Sequence, residues 1–146
     1  MTKLSLLLIC IILNSCADSQ IYFRNADLRK EVNSFLKDLK KTEIHSIIFE
    51  TNRIGDSVIF SMTSGYPNIK VINAYSKYKG VYFCFKEEAP AREYYEIVNP
   101  EPVPSCIKEA YDERRKNFIA INYEPFSKHL VFYKGRLFES VVINED

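Results

Sequence analysis

The most sustained hydrophobic period in the chain lies in residues 26–41. Leu28, Val32, Phe35, Leu36 and Leu39 recur at i, i+4, i+7, i+8 and i+11, which is one face of an α-helix. Asn25 stands where an N-cap is needed, and Asp27 and Glu31 follow near the start. Lys37, Lys40 and Lys41 gather at the other end, where cations meet the negative pole of the helix dipole. The pattern predicts a helix over Ala26 to Lys41. Its apolar stripe has to be buried against another layer, and the residues that follow read as strands.

Ile44 to Thr51 is rich in β-branched and aromatic residues, Asn52 to Asp56 reads as a turn, and Ser57 to Thr63 returns as the second arm of a hairpin. After the loop Ser64 to Asn68, a third strand is expected over Ile69 to Ala74. Lys79-Gly80 marks a turn before Val81 to Lys86, in which Val81, Phe83 and Phe85 share one face and Tyr82, Cys84 and Lys86 the other. The first set is expected in the core. Cys84 on the second face suggests partial cover, by the segment carrying Cys106.

Arg92 to Val98 reads as a further strand. Pro100, Pro102 and Pro104 then remove ladder donors and mark a connection. A short helix capped by Ser105 is expected through Lys116, with Ile107, Ala110, Tyr111 and Arg114 along one side. The end reads as a meander: Asn117 to Tyr123, His129 to Tyr133, a Lys134-Gly135 turn and Arg136 to Ile143. The fold class implied is α+β, an N-terminal helix packed on a mainly antiparallel sheet with the helices on one face. In element order alone it loosely resembles cystatin-like and NTF2-like folds.

Ahead of this domain, Lys3 supplies a positive start, Leu4 to Leu13 is almost wholly apolar, and Asn14-Ser15-Cys16 follows. That is the layout of a secretory signal, and the run is shorter than the ~20 residues of a spanning helix. Leu13-Asn14-Ser15-Cys16 resembles the lipobox of bacterial lipoproteins, with Asn14 where Ala or Ser is usual. The resemblance implies removal of residues 1–15 as signal peptide and a diacylglyceryl thioether on Cys16. It implies further that residues 16–24 form a lipidated tether, that residues 25–146 form one domain, and that the protein is held in the bacterial cell envelope, at the outer membrane. Loss of the leader removes Lys3 and no acid, so the 20 basic residues fall level with the 19 acidic ones. A balanced chain has no field to steer nucleic acid, and membrane attachment rests on the lipid.

Cys10 leaves with the leader and Cys16 is committed to lipid, so Cys84 and Cys106 form the one candidate disulfide in an oxidising compartment. The alternative is two independent thiols packed as small hydrophobes. His45 and His129 lie in separate predicted strands without the spacing of a metal site. No Gly-x-Ser-x-Gly or phosphate loop occurs, and Glu87-Glu88 and Glu93/Glu96 read as solvated charges. Neither a cofactor nor a metal is therefore expected. Tyr75, Tyr78 and Tyr82 cluster around a hairpin and offer wide contact area with polar tips, a candidate interaction patch. The expected role is non-catalytic, binding or supporting a protein partner in the envelope. The alternatives are an inhibitor or immunity lipoprotein that occludes an enzyme or toxin, and a small hydrolase using His45 or His129.

Overall fold

The computed structural model describes residues 19–41, 45–117 and 126–144. The leader, Cys16 and most of the strand expected over Asn117 to Tyr123 lie outside the described residues.

Helix α1 spans Ala26–Leu39, following the short strand β1, Gln20–Phe23. Asn25 caps the helix: its side-chain oxygen accepts from the Leu28 N–H at 3.0 Å. Its amide also donates to the Gly135 carbonyl at 2.8 Å, pinning the helix start to a distant turn. The five residues picked out by period are the five that are buried. An Asn25→Ala variant is expected to lose about 1 kcal/mol, a melting-temperature drop of roughly 3–6 °C. Thermal denaturation followed by circular dichroism checks this, and an unchanged melting point would remove the cap's role.

The main sheet has six strands in the order β4-β5-β2-β3-β7-β8. They are β2 (Ser46–Ile54), β3 (Ser57–Ser64), β4 (Ala74–Tyr78), β5 (Val81–Glu87), β7 (Phe126–Tyr133) and β8 (Arg136–Asn144). All neighbours are antiparallel except β2 and β5, which run parallel. Two hairpins turn on Lys-Gly pairs with positive φ at both residues: Lys79 (49°) and Gly80 (83°), Lys134 (47°) and Gly135 (80°). That is the backbone a two-residue turn needs to match the strand twist.

A second, two-stranded sheet pairs β1 with β6, Tyr95–Val98, from Gln20↔Val98 to Phe23↔Tyr95. This corrects the tether expected over residues 16–24, because Gln20–Phe23 belong to the domain and bury Ile21 and Phe23. The main core lies between the inner sheet face and a layer made of α1, β1 and β6. Its centre is aromatic: Phe49 meets Phe60 at 5.6 Å, Phe85 at 5.4 Å and Tyr95 at 5.4 Å between ring centroids.

The strand expected over Ile69 to Ala74 is corrected as well. Ile69–Val71 form a 3-10 turn capped by Asn68, and the strand begins only at Ala74. Helix α2, Ser105–Asn117, includes Ser105 as its first residue rather than its cap; the Pro104 carbonyl accepts from Ile107 and Lys108. Through Ile107, α2 packs with Tyr75 and Cys84, on the face opposite to α1. The helices thus occupy both faces of the sheet, which corrects the one-face arrangement. β4 and β5 carry apolar residues on both faces, which calls for a second layer, and α2 supplies it.

Candidate functional site: the open face of the sheet

The three tyrosines of the expected patch do not share a surface. Tyr75 points away from the main core and is buried beside Ile107. Tyr78 points toward the core, set edge-on to Phe23 at 5.0 Å, and its hydroxyl donates to Asn33 at 3.3 Å. Tyr82 lies on the α2 side, half-buried, with the Lys77 ammonium 5.1 Å from its ring centre. Strand alternation separates Tyr78 from the other two.

Beyond the reach of α2, the same outer face carries one row of side chains across four strands. The register sets Lys86 of β5 opposite Glu50 of β2, Glu50 opposite Ser61 of β3, and Ser61 opposite His129 of β7. Lys86 Nζ lies 2.9 Å from Glu50 Oε1, which raises the Lys86 pKa through that hydrogen bond and its charge. Ser61 Oγ and His129 Nδ1 are 2.8 Å apart. In the next row Thr63 and Ser127 bond at 3.1 Å. Ile48 stands opposite Thr63, and Ile59 and Val131 flank Ser61 and His129 on the other side; all three are half-buried and outside both apolar clusters. Among the described residues no second layer comparable to α2 lies over them.

Serine beside histidine is the couple that opens acyl transfer. Such chemistry also needs N–H donors converging where an oxyanion forms. Ser61 sits in β3, which pairs with β2 on one side and β7 on the other, so its neighbouring N–H groups are spent in ladders. The row fits cross-strand polar pairing on a sheet face. Sequence reading missed Ser61 and the pairing of Glu50 with Lys86. Alternation in β3 could have put Ser61 outward, but only the register sets it against His129. His45 is exposed and lies before β2, where its carbonyl accepts from the Tyr82 N–H at 3.0 Å. No cluster of three or more potential metal ligands occurs among the described residues.

A cleft of ≈ 390 Å³ lies at the other end, lined by Glu87, Arg92, Tyr95 and Glu96 among others. Its carboxylates are already engaged: Glu87 accepts from the Tyr95 hydroxyl and Glu96 pairs with Arg24. Thr51 bonds that hydroxyl at 3.1 Å, and burial followed by the Glu87 contact pushes the phenol pKa up. These bonds make the cleft a structural brace more than a receptive pocket.

Cys84 is buried and Cys106 exposed, and both are free thiols. Burial, and then the nearby Cys106, push the Cys84 thiol up to about 12. In the reduced, folded protein Cys106 is therefore expected to react with iodoacetamide while Cys84 stays unmodified until the chain unfolds. Peptide mass mapping reads this, and equal labelling of both would contradict the burial.

No family model matches the chain, and no curated protein or solved structure matches it either.

Proposed function

We propose that this is a lipid-anchored envelope protein that docks another envelope protein on the open face of its sheet, without catalysis. The observation that carries the reading is the surface around Ile48, Ile59 and Val131, half-buried residues that belong to neither core cluster and that no helix or strand among the described residues covers. Mixed apolar and paired polar groups on a rigid sheet suit a protein partner, because little side-chain freedom is lost on contact. The anchor rests on Leu13-Asn14-Ser15-Cys16. From Cys16 to the first residue of β1 the chain can reach at most ~15 Å, so the domain would sit against the bilayer. An inhibitor or immunity role uses the same surface with an enzyme or toxin as the partner.

Intact mass of the detergent-extracted protein tests the anchor: residues 16–146 plus diacylglycerol and acyl chains is the expected species. An uncleaved or unlipidated mass would overturn it. The same sample, alkylated with and without reduction, shows whether the envelope oxidises Cys84 and Cys106 into a bridge. Docking is tested with Ile59→Arg. Photocrosslinking from Thr63 to a discrete partner in intact cells is expected to fall severalfold, while the melting temperature stays within about 2 °C. Undiminished crosslinking would place the partner elsewhere.

A further inference from the structure

The two edges of the main sheet are finished differently. At one end β4 is flanked: Glu101 bridges to Tyr75, its N–H reaching the Tyr75 carbonyl at 2.8 Å, and the Ser19 hydroxyl bonds that of Ser76 at 2.6 Å. At the other end β8 has β7 on one side and, among the described residues, no strand on its outer side. Such an edge usually carries a proline or an inward charge to block further pairing. Leu137 to Asn144 holds neither proline nor lysine, and Glu139 is its one charge. Instead Phe138, Val141, Val142 and Ile143 are exposed by 77, 41, 51 and 39 %. Val141, Val142 and Ile143 leave apolar side chains exposed on an edge strand whose outer N–H and C=O groups form a ready template for a further strand.

We infer that β8 pairs antiparallel with β8 of a second copy, joining the two sheets edge to edge. Charge selects this direction. A parallel, in-register copy would set Lys134, Arg136 and Glu139 each beside its own like, and an antiparallel copy does not. A two-fold axis through Val141 puts Val141 against itself, Ser140 against Val142 and Glu139 against Ile143. No like charges face one another, and residues opposite each other stay on the same side of the sheet. The register shift between Val131 and Phe132 leaves Phe138 as an extra residue in β8, so pairing is confined to the segment after it. The contact is short, below the ~800 Å² per partner of a standard interface. It is a weak dimer; with the lipid anchor proposed above, on which this step rests, confinement of both copies to one membrane favours it.

The test uses the full-length protein in its own membranes, with Cys84→Ala and Cys106→Ala as the parent. Single cysteines are placed at each position from Glu139 to Asn144, and mild oxidant is added. A disulfide requires close β-carbons, so dimer of twice the chain mass is expected at the residue on the axis, roughly tenfold above its sequence neighbours. Adding Val142→Glu, which faces Lys128 across the β7–β8 pair and leaves the melting temperature in place, is expected to abolish that maximum. A flat profile, or a product of another mass, would overturn the pairing.

Discussion

Replacing Phe49 by alanine is expected to remove about 3–5 kcal/mol of folding stability, as for other fully buried aromatic residues. Phe49 has no exposed surface and stands at the centre of β2. Its ring touches those of Phe23, Phe60, Phe83, Phe85 and Tyr95. These come from four different strands of both sheets, so the cavity would open where the two sheets meet and could not collapse locally. A domain of this size holds about 5–15 kcal/mol in all, so the variant loses a large share of its margin. Urea denaturation measures the loss as a lower midpoint at constant slope. Phe138→Ala is the matched control, since that ring is exposed and its loss is expected to change stability by less than about 0.5 kcal/mol. Similar losses for the two variants would refute the central position of Phe49.

The second large effect concerns the ion pair between Glu31 of α1 and Lys128 of β7. The side chains are 17 % and 10 % exposed, and Lys128 projects to the core side of the sheet under the helix. Removing the acid strands an ammonium in an apolar layer, so Glu31→Ala is expected to cost about 3 kcal/mol or more. The double variant Glu31→Leu with Lys128→Met removes both charges and keeps the volume. It is expected to match the parent or exceed it by 1–4 kcal/mol. Denaturation of the single and double variants decides the matter. A double variant as unstable as the single one would mean that the pair's geometry, and not the buried charge, sets the cost.

Local features were legible because they depend on residues a few positions apart. The α1 stripe, the Asn25 cap, the two Lys-Gly turns and the inward set Val81, Phe83 and Phe85 all follow from period and turn chemistry. Even the cover over Cys84 was readable, since an apolar residue on the second face of a strand calls for a second layer. The Tyr patch is divided for a related reason: neighbours in sequence on a strand do not share a surface, and alternation in β4 turns Tyr78 away from Tyr75 and Tyr82.

What the sequence by itself determined is the α+β class, with its helix face and its turns, along with the leader and lipobox resemblance on which the proposed anchor rests. The tertiary structure decided what depends on register between distant segments. It pairs β1 with β6 across more than seventy residues, runs β2 parallel to β5, and lines up Lys86, Glu50, Ser61 and His129 in one row. No short window encodes those pairings. Each strand could satisfy its alternation in several registers, and only simultaneous burial of the aromatic core selects one of them.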